Sequence, residues 1–277
     1  MTFRSVPDFL DSAACKRLKP GVLSVVFCEE DWLIPETIAH VQAQRPAHIL
    51  AIGRTGALAS DAGLSIVTAD LANRTARVEA MNQLIAGLQG RWMHWLNNAE
   101  FLFFPWCETR TINDLASFLK DERRRSLYTY ALDLYAAKLP GAGQLEGAGL
   151  HFDAKAYHAF PQEDRRLTVF GGLGWRFEEF FPAWMQQIGR AALFLADKDV
   201  RIGRDMMFEA DAYRSVSAPW HNSPTGAIMS LRRTSHLMAA PGFDDVAGKL
   251  IWEGSTPFGW HSAQLLDMGM IEPGQWF

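Results

Sequence analysis

A few residue patterns in this 277-residue chain have the types and spacing to carry chemistry. Asp197-Lys198-Asp199 follows an apolar run at 191–196 and could hold a divalent cation. Asp is equally favoured in solvated turns, where its side chain bonds local backbone, and a turn is the expectation here. His151-Phe152-Asp153 places two potential ligands on one face of an extended chain. With no third partner in the pattern, a hydrogen-bonded polar pair is expected. Gly171-Gly172-Leu173-Gly174 precedes no clear helical periodicity, so it reads as a tight turn rather than a phosphate cradle. The charge run at 121–125 reads as a solvated helix end. The phosphate-loop pattern GxxxxGK[ST], a GxGxxG after the first strand, the GxSxG elbow and HExxH are all absent from the sequence. That disfavours the common nucleotidase, dinucleotide, serine-hydrolase and zinc-protease chemistries.

The composition sets the background for these residues. Twenty-seven basic and 31 acidic side chains leave a formal charge of −4, without the basic field of a nucleic-acid binder, so no nucleic-acid partner is expected. Hydrophobic residues at 48% and charged residues at 21% exclude a disordered chain. Cys15, Cys28 and Cys107 form no CxxC pair, which favours a reducing compartment over a disulfide framework. The N-terminus carries early acids and no apolar core of a signal peptide, so cytoplasm is the expected location. No apolar stretch approaches the roughly 20 residues of a transmembrane helix. Ten Trp and 18 Phe suit sugar or base stacking as well as packing, with core packing expected for most of them.

The elements that would position these groups alternate. Residues 22–28 form a β-rich run. Leu33, Ile34, Ile38 and Val41 then recur at helical spacing, and Pro46 ends that helix. Strands are expected at 48–52 and 64–67. A helix capped by Asn73 or Thr75 runs to about Leu88, and a strand follows at 92–96. Further strands at 101–104, 127–134 and 167–170, a helix at 112–119 and a helical stretch at 180–196 complete the pattern. The expected fold is α/β, a mostly parallel sheet flanked by helices with a less regular C-terminal part. It divides into an extension at 1–21, a main domain at 22–236 and a tail at 237–277 packing on it.

The segment Trp92-Met-His-Trp-Leu-Asn-Asn-Ala-Glu-Phe-Leu-Phe-Phe-Pro105 resembles the strand–turn–strand of bacterial family-2-like glycosyltransferases, where a buried strand ends in Asp-x-Asp-Glu-Phe. Leu33-Ile34-Pro35-Glu36, Arg77-Val-Glu-Ala-Met-Asn82, Leu132-Asp133-Leu134-Tyr135, Gly171-Gly-Leu-Gly-Trp-Arg176 and Gly226-Ala-Ile-Met-Ser-Leu-Arg232 match further family segments in consistent order over residues 22–235. The resemblance implies a GT-A fold and sugar transfer from a nucleotide-sugar donor to a glycan or other hydroxyl acceptor. In such enzymes paired carboxylates hold a divalent ion that neutralises the leaving diphosphate.

Here the two Asp positions are Asn97 and Ala99, only Glu100 survives, and the family's later His corresponds to Ser230. The cluster falls from three formal negative charges to one, so no tight metal site is expected. A weakly held Mn²⁺ or Mg²⁺ stays open. The resemblance assigns donor binding to Glu30, Arg77, Asn82, Asn97, Glu100, Arg176, Ser230 and Arg232. Arg176, Arg232 and Arg233 could replace the metal by bidentate bonds to phosphate. Ser230 and Arg232 share a face if both lie in one strand. Glu163, Asp164 and Glu178 are alternatives for the base that deprotonates the acceptor. A non-catalytic descendant binding a glycan, nucleotide or protein through the same surface is the competing expectation.

Overall fold

The computed structural model describes residues 1–56, 58–71, 73–145, 147–161, 167–186, 188–209 and 223–276. In chain order the elements are β1 (Thr2–Phe3), α1 (Val6–Asp11), α2 (Ala13–Lys16), β2 (Leu23–Cys28), α3 (Ile34–Ala43), β3 (His48–Gly53), β4 (Leu64–Thr68), α4 (Arg74–Gly87), β5 (Trp92–Asn97), β6 (Glu100–Phe103) and α5 (Ile112–Asp121). There follow β7 (Ser126–Asp133), β8 (His151–Asp153), β9 (Tyr157–Pro161), β10 (Leu167–Gly171), α6 (Leu173–Arg176), α7 (Ala183–Gln186), β11 (Gly189–Leu195), β12 (Thr225–Ser230), α8 (Arg232–Ala239), β13 (Ser255–Pro257) and α9 (Ser262–Asp267). The fold is α/β, with a nine-stranded, mixed, mostly parallel sheet flanked by helices. Among the described residues no helix is long and apolar enough to cross a membrane.

The chain divides into two compact units. The first comprises Met1–Asn98, Cys107–Leu127 and Ala191–Arg214. Its strands lie in the order β1-β4-β3-β2-β5-β11, parallel throughout except for β11 against β5. Both faces of β2 and β3 are buried, which explains their unbroken apolar runs rather than a period-two pattern. Phe27, Leu50, Ile52, Met81, Leu84, Trp95 and Phe194 belong to its core. Asn73 caps α4 by accepting from the Ala76 amide at 2.8 Å, and Thr111 with Asp114 forms a reciprocal capping box on α5. Residues 1–21 are integral to this unit: β1 pairs with β4, and Leu10 of α1 packs against Gly87 of α4.

The second unit comprises Ala99–Trp106, Tyr128–Arg190 and Ser215–Phe277. Strand β12 lies between β7, to which it is parallel, and β6, to which it is antiparallel. Two small antiparallel pairs, β9 with β10 and β8 with β13, are added to it. The tail packs into this unit through rings: Phe258 and Trp260 meet Phe103 and Phe101, and Trp276 meets Phe104 and Trp106.

Three local readings need correction. The stretch 180–196 is not a continuous helix: it holds the short α7 and then β11, whose buried Ala191, Ala192, Leu193 and Phe194 form a sheet interior. A short apolar run has no period that separates a buried strand from a helix. Gly171–Gly174 does open a helix, the single turn α6, with Gly172 at its N-cap. Arg232 begins α8 rather than ending β12, so the strand argument that placed it on one face with Ser230 fails.

Candidate functional site

In the first unit, two of the expected residues, Arg77 and Asn97, lie at the carboxyl ends of the parallel strands β2 and β5, the usual ligand-binding edge of an open α/β sheet. Strand β2 runs in register with β5, from Leu23 opposite Met93 to Phe27 opposite Asn97. Beyond β2, Glu29 forms an ion pair with Arg77 of α4, and both side chains are about 15% exposed or less. Asn98 ties this edge together. Its carbonyl accepts from the Glu29 amide at 3.1 Å, its amide donates to the Trp32 carbonyl at 3.0 Å, and its own backbone N–H bonds Phe27. Asn97 is buried at the last position of β5. Glu30, by contrast, is exposed, and its neighbour Glu29 takes the inward role. Asn82 exchanges two 2.9 Å hydrogen bonds with the backbone of Ile202, which gives it a job inside the protein: holding the chain beyond β11 against α4.

In the second unit, strand register aligns Glu100, Ser230 and Asp133. Ser230, the last residue of β12, lies opposite Glu100, the first of β6, and opposite Asp133, the last of β7. All three are buried. Each flanking carboxylate holds an arginine. Arg190 binds Glu100 through both oxygens, at 3.3 and 2.5 Å. Arg233 binds Asp133 at 3.3 Å and also donates to the Met185 carbonyl. The Ser230 hydroxyl accepts from the Arg232 amide at 3.3 Å, at the start of α8.

Burial pushes the Asp133 carboxyl above the ordinary carboxylate range, and Arg233 together with the Leu173 amide pulls the other way. The Tyr157 hydroxyl accepts from the Asp133 amide, and burial raises that phenol well above its usual range. Gly172 closes the cluster. Its φ of 62° and ψ of −148° lie where side chains are rarely placed, and a Cβ there would run into Tyr157 Oη and Asp133 Oδ2.

Arg176 is engaged elsewhere in this unit. One terminal nitrogen donates to both Asp153 oxygens at 3.0–3.1 Å, and the other donates to the carbonyls of Lys249 and Leu250. Its guanidinium also lies 4.8 Å from the Trp252 ring centre. Asp153 receives Tyr135 and Trp252 as well, so the His151–Asp153 pattern resolves into a structural knot around one buried carboxylate. His151 stacks on Tyr135. Asp197 and Asp199 sit in the turn after β11, where Asp197 meets Arg125 at 3.2 Å and bonds the following amide.

Of the three candidate bases, Glu163 and Asp164 lie outside the described residues. Glu178 is exposed, in a 3-10 turn after α6, and lines a cavity of about 510 Å³ with His158, Phe170, Gly171, Gly174, Trp175 and Gln186. Among the described residues no three His, Cys, Asp or Glu side chains converge as a metal-binding group.

Sequence reasoning missed Glu29 and Arg190, and met Asp133 only inside a resembling segment. Glu29 had a signal, since it is the first residue beyond a buried parallel strand. Arg190 had none, because its partner is 90 residues away and its own segment read as helix. No protein-family model matches this chain, and no curated protein matches it.

Proposed function

We propose that this chain is a GT-A-type glycosyltransferase that moves a sugar from a nucleotide-sugar donor to a hydroxyl acceptor without a tightly held metal ion. The observation that carries this reading is the Glu100–Arg190 pair. Glu100 is the acid retained at the degenerate motif, and both its oxygens face a guanidinium. Hard divalent cations need several oxygen ligands, preferably charged. Asn97 is neutral, and the Ser230 hydroxyl already accepts a backbone N–H. The compensating positive charge for a diphosphate would then come from protein cations, with Arg232 at the start of α8 as the principal candidate.

The α/β fold and the ordered resemblance over residues 22–235 support the reading. Glu178 is the described candidate for deprotonating an acceptor. Three free thiols, Cys15, Cys28 and Cys107, fit a reducing compartment such as the cytoplasm.

A second reading, a non-catalytic descendant, is favoured by one specific observation. Arg77, Arg176, Arg190 and Arg233 each hold a protein carboxylate, which removes much of the positive charge that a diphosphate would seek. Calorimetry with nucleoside diphosphates and nucleotide sugars, with and without Mn²⁺, tests the transferase reading against a descendant that has lost the nucleotide site. The transferase reading expects nucleotide binding that EDTA leaves unchanged. Arg232→Ala should weaken it by about 1.5–3 kcal/mol, the range for a charge-assisted hydrogen bond. Absence of nucleotide binding in either condition would leave the non-catalytic reading in place.

A further inference from the structure

We propose that the cavity beside α6 is a subsite for a short, uncharged saccharide, stacked on Trp175 and gripped at its hydroxyl edge by Glu178 and Gln186. As an acceptor subsite this rests on the transfer reaction proposed above; as a saccharide site it stands on the cavity alone.

Its volume, about 510 Å³, falls within the range of small-molecule sites. Two large aromatics lining it are left in solvent, Trp175 at 58% and Phe170 at 44% exposure. Scattered exposed apolar residues are ordinary, but two on the wall of one cavity form a patch that calls for a ligand. The lining is amphipathic. Trp175 and Phe170 offer apolar faces, while the Glu178 carboxylate and the Gln186 amide offer hydrogen-bond acceptors and donors. A pyranose has the same division, with an apolar C–H face and a rim of hydroxyls. A purely apolar ligand would leave the carboxylate and amide unsatisfied, and a strongly polar one would leave the indole unused.

The platform is held on both sides. The amide of Leu173, two residues before Trp175, is fixed by Asp133 at 2.9 Å, and Arg176, the residue after it, is locked onto Asp153. The His158 ring stands edge-on to the indole, with centroids 5.6 Å apart and planes at 88°. A platform anchored in this way loses little freedom when a ring settles on it.

Charge narrows the class. Glu178 is the charged residue of the described lining. Arg233 packs behind Gly174, but its guanidinium is turned to Asp133 and the Met185 carbonyl. A uronate or phosphorylated sugar would therefore bring its negative charge against a carboxylate, whereas a neutral glycoside would not.

The test uses the full chain, with saturation-transfer NMR and calorimetry. The probes are the methyl glycosides of glucose, galactose, mannose and N-acetylglucosamine, methyl glucuronide, and choline as a cationic control for the same aromatics. At least one neutral glycoside should bind, about tenfold or more tightly than the glucuronide. Trp175→Ala should weaken it by about tenfold, a loss of about 1.4 kcal/mol, and Trp175→Phe should retain part of the affinity. Glu178→Gln should narrow the gap between neutral sugar and glucuronide. Failure of every neutral glycoside to bind would overturn the proposal. So would equal affinity for the glucuronide, or preferential binding of choline. A parallel diphosphate titration keeps the two readings apart. Nucleotide binding without glycoside binding ends this inference alone, and glycoside binding without nucleotide binding ends the transfer reading alone.

Discussion

Arg190 occupies a revealing position. Its side chain and that of Glu100 are 14% and 5% exposed, so the pair is largely withdrawn from water. Two hydrogen bonds, one to each carboxylate oxygen, compensate for that desolvation, yet such a pair adds little net stability compared with well-packed apolar groups. Removing one partner is different, because the other charge stays buried without that counter-ion. Arg190→Ala should lower unfolding stability by about 3–5 kcal/mol in urea denaturation. Glu100→Leu combined with Arg190→Met should recover most of that loss. If the single variant is as stable as the parent, another group neutralises Glu100 in place of Arg190. Arg176 is committed in the same way, to Asp153 and two carbonyls.

At the scale of elements, α6 is the hinge of the candidate chemistry. This four-residue turn cannot be stable by itself, since a first helical turn fixes several residues for one hydrogen bond. It persists because Asp133 accepts the Leu173 amide and because Leu173 and Phe177 are buried with Tyr135, Phe181, Leu237 and Leu250. Gly172 makes that arrangement possible, having no Cβ to strike Tyr157 Oη or Asp133 Oδ2. Gly172→Ala should therefore cost more than the roughly 1–3 kcal/mol of backbone strain alone. The loss should show in thermal unfolding and in a changed environment for Trp175. A variant with parental stability would mean that Gly172 is not held against the buried carboxylate. Trp175 and Glu178, on either side of the Arg176 anchor, inherit their positions from this turn.

At the scale of the whole molecule, stability should carry a histidine signature that belongs to the sheet and not to the candidate site. His48 begins β3 and meets the Ser65 hydroxyl of β4 at 2.9 Å. Burial pushes its pKa below the ordinary value of 6.5, with nearby positive charge adding to the effect. Between the lowered folded value and 6.5, the unfolded chain binds a proton that the folded chain refuses, so stability rises with pH across that window and falls toward acid. Denaturation midpoints measured between pH 7.5 and 5 should show this decline, at most about 1.4 kcal/mol per pH unit from one group. His48→Gln should flatten the difference. An unchanged slope would mean that the imidazole titrates in the fold as it does in water.

Much of this molecule is legible without coordinates, for local reasons. Buried parallel strands show as short apolar runs, rich in Val and Ile in β2 and β3 and in Trp, Met and Leu in β5, and the three strands lie where those runs lie. Helices with strong caps show at their first turn, as Asn73 does for α4. The turn between β5 and β6 was equally visible, since a polar Asn-Asn interrupts two apolar strands. What sequence alone could not decide is which charges meet. Arg190 finds Glu100, Arg233 finds Asp133 and Arg176 finds Asp153 across 23 to 100 residues of chain. Such pairings follow from strand order and register, to which local hydrophobic period is blind. Period likewise failed at β11, where a buried strand and a buried helix carry the same apolar letters, and at Arg232, where one residue separates a strand end from a helix start. The residue types thus showed an Asn-Asn-Ala-Glu turn between apolar runs and an aromatic-rich chain. Only the tertiary structure decided that Glu100 is paired with an arginine, because that burial arises from the packing of distant segments, and that the exposed Trp175 and Glu178 share one cavity wall with His158, Phe170 and Gln186.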